Sequence, residues 1–182
     1  MKENALRIDK TPKWINNNNT EYFKSDRFQK MFRVFLLSVP NKDLSARGKP
    51  IAELKLMKTE EELFIEIIGT IRYEYRKQYI HNSALLGVNL LSFPPAVTDL
   101  DERVCFSGKD DTLLTDFLIH IRSSLAHGRF NIMGPKDNLV FVMENMTTKV
   151  TCCARMILKA DTLGCWAEII EAGFKKKRRK AT

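Results

Sequence analysis

The stretch Ile119–Ile132, IHIRSSLAHGRFNI, marks the point at which the hydrophobic periodicity of the chain changes. Apolar residues before and within it recur at helical spacing, namely Leu113, Leu114, Phe117, Leu118, Ile121 and Leu125. After Gly128 the apolar residues come in short runs that are typical of strands. The sequence therefore predicts a helix over residues 111–127, a stop at Gly128 and a strand from Phe130.

This predicted helix has two different faces. Its apolar set spans an arc of roughly 140° on a helical wheel, as a core-facing stripe does. The opposite arc holds Arg122, Ala126, Ile119, Ser123 and His127. Because the middle of that arc is small or apolar, it predicts close contact with another helix. That helix is either the same element of a second subunit across a two-fold axis, with Ile119 and Ala126 in the interface, or another helix of this chain.

Arg122 and His127 bracket this second arc and suggest a chemistry. They lie about 140° apart around the helix axis, so one chain alone would not point both at one spot. Two antiparallel copies would bring both pairs into one cleft, where a histidine can move protons and an arginine can hold phosphate oxygens. That chemistry suits metal-free cleavage of RNA. The alternative is structural: both side chains serve the helix C-terminus by binding its free carbonyls.

The segment Arg122-Ser123-Ser124-Leu125-Ala126-His127, preceded by Phe117–Ile121 and followed by Gly128-Arg129-Phe130, resembles the signature of the HEPN superfamily. That signature is an arginine, a few variable residues and a histidine at the end of a long helix. The resemblance implies an all-α, HEPN-like helical bundle that dimerises through its motif helices. Many such proteins are metal-independent endoribonucleases that act as toxins or in phage defence, often with a cognate antitoxin.

The resemblance also implies roles for individual residues. Arg122 and His127 would form the catalytic pair, Ser123 would be a polar helper, and Arg129 would contact RNA phosphates. Ser123 stands where the superfamily usually has Asn or Asp. Because some relatives bind RNA or nucleotides, or only dimerise, a non-catalytic RNA-binding or protein-interaction module is the alternative function. Neither function implies a cofactor or a metal.

The rest of the pattern predicts one helical domain over residues 1–174, with a weakly structured lead-in over residues 1–24. One helix should start at Ser25 or Asp26 and stop at Pro40. A capping box at Thr59–Glu62 should open a second helix that runs into the late seventies. Further helices are expected over residues 51–57, 85–93 and about 154–171, and a loop from Pro94 to about Lys109. The only predicted β-structure is a small hairpin, Phe130–Met133 and Leu139–Met143.

Two weaker site candidates lie elsewhere. The aromatic and basic run Tyr73–Tyr79, followed by His81 and Asn82, is either part of an RNA-binding groove or a half-buried face of an amphipathic helix. His120, near the back edge of the core stripe, is expected to be structural or exposed rather than catalytic.

Charge and cysteine content limit the class of protein. The formal net charge is +8, and residues 175–180 carry six of those charges, which leaves about +2 for the body (8 − 6). The body is therefore not the strongly basic surface of a typical nucleic-acid-binding domain. The basic tail over residues 175–182 either contacts phosphates, is solvated and disordered, or is a nuclear-localisation signal. The four cysteines show no CxxC spacing. With no signal peptide or membrane-spanning run, we expect a cytoplasmic protein with buried free thiols rather than redox or metal-binding ones.

Overall fold

The computed structural model describes residues 20–39, 58–76, 102–108, 113–146 and 152–175. The helices are α1 (Thr20–Lys24), α2 (Asp26–Arg33), α3 (Glu60–Ile68), α4 (Leu113–Ala126) and α5 (Ala160–Lys175). The strands are β1 (Arg72–Arg76), β2 (Arg103–Ser107), β3 (Phe130–Met133), β4 (Val140–Met146) and β5 (Cys152–Lys159). A π-helical turn, Val34–Ser38, extends α2, and a 3-10 turn, Lys136–Asn138, lies between β3 and β4. No helix in these ranges is both long and apolar enough to cross a bilayer.

The strands form one mixed sheet in the order β1-β2-β5-β4-β3. The β1 and β2 strands are parallel, and the other neighbours are antiparallel. This α/β architecture contradicts the prediction of an all-α, HEPN-like bundle with a single small hairpin. The predicted hairpin itself is confirmed as β3 and β4, paired from Phe130↔Met143 to Met133↔Val140.

Three segments account for the wrong fold class. The predicted helix from residue 154 is strand β5 up to Lys159, and α5 begins only at Ala160. The predicted loop before Lys109 contains β2, and the helix that opens at Thr59 ends at Ile68 before β1. Strand β5 is buried from Cys152 to Leu158, so its apolar run lacks the alternation that marks a strand with one wet face.

The predicted starts of two helices are confirmed. The Ser25 hydroxyl caps α2 by accepting a hydrogen bond from Phe28 N at 3.3 Å. At α3 the capping box is complete: Thr59 N donates to Glu62 Oε2 at 2.8 Å, and Glu62 N donates to Thr59 Oγ1 at 3.2 Å. Hydrogen bonds from the backbone and the hydroxyl of Thr59 hold the pKa of Glu62 below its ordinary value.

The hydrophobic core lies between the helices and one face of the sheet, which we call the helix-covered face. It includes Phe106, Phe141 and Met156 from the strands, packed against Phe117 of α4 and Trp166 of α5. The opposite side, which we call the second face, carries Glu74, Cys105, Arg155 and Glu144. Burial extends to this side too, since Val142 and Ile157 are also buried.

Some predictions fall at or beyond the limits of the described ranges. The helices predicted over residues 51–57 and 85–93, the side chains of His81 and Asn82, and the tail beyond Lys175 lie outside the described residues. Helix α1 occupies the last part of the segment expected to be weakly structured. Helix α5 continues to Lys175, beyond the predicted end at about residue 171.

Candidate functional site at the end of helix α4

The two predicted faces of α4 differ in burial as the sequence indicated. The apolar stripe is buried at Leu114, Phe117, Leu118, Ile121 and Leu125. On the opposite arc, Ile119, Arg122 and Ser123 are partly buried, and Ala126 and His127 are exposed. We call these five residues the accessible arc. The chain's own helices, over the described ranges, therefore leave it open to solvent at its C-terminal end.

A Schellman motif ends α4 at the predicted position. Gly128 N donates to Leu125 O at 3.2 Å, and Arg129 N donates to Ser124 O at 2.8 Å. Gly128 has φ = 62°, the left-handed conformation that glycine adopts with little strain. His127 still donates its backbone N–H to Ser123 O at 3.0 Å, so it keeps the helical register as the C-cap residue.

Arg122 is bound to a neighbouring element rather than to the end of its own helix. Its Nε donates to Leu36 O at 3.2 Å, within the π-helical turn that extends α2. Leu36 lies in the last turn of this helix, where carbonyls have no intrahelical donor, and a guanidinium can bind one of them. Arg122 makes no other hydrogen bond in the described part of the chain, so both Nη atoms remain available to an anion.

The side chains of His127 and Ser123 are likewise available to a ligand. Neither side chain has a hydrogen-bond partner within residues 113–146 or the other described ranges. Accordingly, neither is linked to the side chain of Arg122. The helical register of His127 keeps it about 140° from Arg122 around the axis, so one chain presents the two groups in different directions.

Arg129, the predicted RNA contact, is partly engaged. Its Nη1 donates to Met146 O at 2.9 Å, at the end of β4, and its carbonyl accepts from Glu144 N at 3.0 Å. These two hydrogen bonds anchor Arg129 against the sheet. Only part of its guanidinium is left for a phosphate.

The sequence interpretation missed a second polar row on α4, on its buried side. Asp116, His120 and Ser124 follow one another at four-residue intervals and are 5%, 6% and 0% exposed. His120 Nε2 lies 2.6 Å from Ser107 O, and Asn145 Nδ2 lies 2.7 Å from His120 Nδ1. Since an amide nitrogen only donates, Nδ1 accepts from Asn145, and Nε2 donates to the Ser107 carbonyl.

The first member of this row ties α4 to the parallel strands. Tyr75 donates its hydroxyl to Asp116 Oδ2 at 2.8 Å, and Gly108 leaves the room that the carboxylate occupies, because a Cβ there would overlap it. The carboxyl ends of parallel strands commonly form ligand sites. Here the polar groups bind one another across α4, β1 and β2, which is a structural role. Polar residues spaced by four on the core side of a helix were the signal for it.

Comparisons with known proteins return no match: no protein-family model, curated protein or solved structure resembles the chain significantly. Within the described ranges no group of three or more His, Cys, Asp or Glu side chains is placed to hold a metal ion.

Proposed function

We propose that the chain is a metal-independent endoribonuclease that cleaves RNA between Arg122 and His127 of two antiparallel copies of α4. The observation that carries this proposal is the open state of the accessible arc, where His127 is exposed and Arg122 keeps two nitrogens available. The proposal rests on the local geometry of α4 and not on the fold, since the bundle implied by the HEPN resemblance is not the fold of this chain.

The geometry of a two-fold pair matches the spacing of the motif. If two antiparallel α4 helices cross level with the midpoint of residues 122 and 127, Arg122 of one copy lies level with His127 of the partner subunit. Ser123 then lies level with Ala126 of the partner subunit. Small side chains at the crossing allow the helices to approach closely, and the two guanidiniums then line one edge of the cleft at the crossing and the two imidazoles the other.

The reaction that this cleft suits needs no metal. One His127 accepts the proton of the ribose 2′-hydroxyl, whose oxygen attacks the phosphorus, and the second imidazole, as imidazolium, protonates the leaving 5′-oxygen. The P–O5′ bond breaks, which yields a 2′,3′-cyclic phosphate and a 5′-hydroxyl end. Arg122 offsets the charge that develops on the phosphate oxygens, and the Ser123 hydroxyl and the remaining Arg129 donors hold the backbone.

The test is cleavage of single-stranded RNA in the presence of a chelator. His127→Asn, which keeps a polar side chain without acid–base chemistry at neutral pH, should lose roughly 10²- to 10⁴-fold in rate. Arg122→Lys keeps the charge but loses the planar fork and should also cleave poorly. RNA with 2′-O-methyl groups should not be cut. Native-like cleavage by His127→Asn would refute the mechanism.

A second function is favoured by one observation. Arg122 and Arg129 are already bound to the carbonyl oxygens of Leu36 and Met146, which holds both guanidiniums in place. Fixed cations suit retention of RNA or a nucleotide as well as catalysis. Native protein that retains RNA without cutting it would assign the chain to this non-catalytic class. A toxin or phage-defence role with an antitoxin extends the nuclease proposal, and requires that growth arrest on expression depend on His127.

A further inference from the structure

The second face of the sheet carries a row of charged and polar residues across four strands. Glu74 of β1 lies opposite Cys105 of β2, Cys105 lies opposite Arg155 of β5, and Arg155 lies opposite Glu144 of β4. Residues paired in this way project from the same face of a sheet. The row is separated from the accessible arc of α4 by the thickness of the sheet.

Arg155, at the centre of this row, is incompletely paired. Its side chain is 2% exposed, and its Nε donates to Glu144 Oε1 at 2.9 Å. Its Nη2 is buried and has no hydrogen-bond partner among the described residues. A guanidinium has five donors, and an unpartnered charged donor in a protein interior is costly, so such an atom points to an acceptor from outside this part of the chain.

The neighbouring thiols are not that acceptor. Burial, with the Glu144 carboxylate as a smaller contribution, raises the pKa of Cys152 to about 12. Cys152 therefore stays a neutral thiol at neutral pH and brings no negative charge to Arg155. The Cys105 thiol lies 3.9 Å from Glu74 Oε2, to which it donates.

Two more arginines lie near Arg155 on the second face. Arg103 projects from the same face of β2, diagonal to Arg155, and lies directly opposite Arg72 of β1. Like charges in opposite positions of neighbouring strands repel each other, and a bound anion would relieve that repulsion. Among the paired strand residues on this face, Glu74 and Glu144 are the carboxylates, and they are outnumbered by Arg72, Arg103 and Arg155.

We propose that the second face holds a small oxyanion, a phosphate or carboxylate group, bound by Arg155 Nη2 and by the neighbouring Arg103 guanidinium. Diagonal neighbours in a sheet have Cβ atoms about 7–8 Å apart, a span that two arginine side chains can close around one group. Arginine forks match the paired oxygens of both anion types. This site is independent of the nuclease proposal, since it shares no residue with the accessible arc.

The test measures anion-dependent stability of the full chain. The protein is refolded, so that a buried site can fill, and its thermal unfolding midpoint is followed against inorganic phosphate or succinate at constant ionic strength set with chloride. A saturable rise in the midpoint is expected with at least one of them. The two titrations distinguish a phosphate site from a carboxylate site.

Three variants separate specific binding from general salt effects. Arg155→Lys keeps the ion pair with Glu144 but removes the free Nη2, and Arg103→Gln, at a partly buried position, is the variant less prone to misfolding. Each should weaken the apparent affinity roughly ten- to hundredfold. Arg33→Gln, which removes an exposed arginine paired with Glu171, is the charge-matched control and should keep it. Two results would overturn the site: no saturable rise in the midpoint of the native protein, or a rise that Arg155→Lys and Arg103→Gln both retain. Either result would mean that a water molecule, and not an anion, binds Arg155 Nη2.

Discussion

Helix α4 and its C-cap carry two histidines seven residues apart, and they have opposite environments. His120 is 6% exposed and has both ring nitrogens bound, by Ser107 O and by the Asn145 amide. His127 is exposed and has no side-chain partner in the described part of the chain. The same residue type on the same helix is thus part of the architecture in one case and available for chemistry in the other.

The two sides of α4 should therefore affect different properties of the protein. The buried row of Asp116, His120 and Ser124 fixes α4 to the sheet through Tyr75 and Ser107. The accessible arc adds one side-chain hydrogen bond among the described residues, from Arg122 to Leu36, and is exposed at Ala126 and His127. Substitutions in the buried row should lower the free energy of unfolding, whereas substitutions at His127 should change activity alone.

The largest stability effect is expected from a matched pair, His120→Leu and His127→Leu. His120→Leu leaves the buried Ser107 carbonyl and the Asn145 amide without their partner, and should lower the free energy of unfolding by roughly 2–5 kcal/mol. His127→Leu, at an exposed position, should change it by about 0.5 kcal/mol or less. Urea unfolding measures both. Equal effects of the two substitutions would contradict the contrast between the histidines.

A smaller effect is expected where α4 ends. Gly128 has φ = 62°, and no atom lies within 4 Å of the place that an alanine Cβ would take, so Gly128→Ala meets conformational strain and no steric clash. It should cost about 1–2 kcal/mol, and Gly128→Asn should cost less, because asparagine tolerates the left-handed region. Urea unfolding of the two variants gives the comparison. An alanine variant as stable as the native protein would mean that this conformation is not what ends the helix.

The sequence predicted the parts of the fold that depend on local signals. The Thr59 capping box, the Ser25 cap, the two faces of α4 and the Gly128 stop each depend on residues close together in the chain. The hairpin of β3 and β4 is predicted for the same reason. The accessible arc could be found because a helix wheel separates Ile119 and Ala126 from the core stripe.

The sequence did not predict features that depend on distant partners. Strands β2 and β5 are buried on both sides, so their apolar runs match a buried helix as well as a strand. In strand β1, Arg72–Arg76, aromatic and charged residues do alternate, since Tyr73 and Tyr75 share one side of the strand. The helical spacing of Ile67, Ile71 and Tyr75 masked that signal. The partners of His120 and Arg155 arise only when the sheet assembles.

The most direct test of the proposed site is complementation between two inactive variants. Arg122→Ala and His127→Ala are produced together with different affinity tags, and the mixed dimer is purified through both tags and assayed on RNA. The mixed dimer keeps His127 of one subunit level with Arg122 of the other. That dimer has lost the second imidazole, so a site shared across the two-fold axis predicts cleavage slower than native but clearly above that of either variant alone. A mixed dimer no more active than the two separate variants would contradict it.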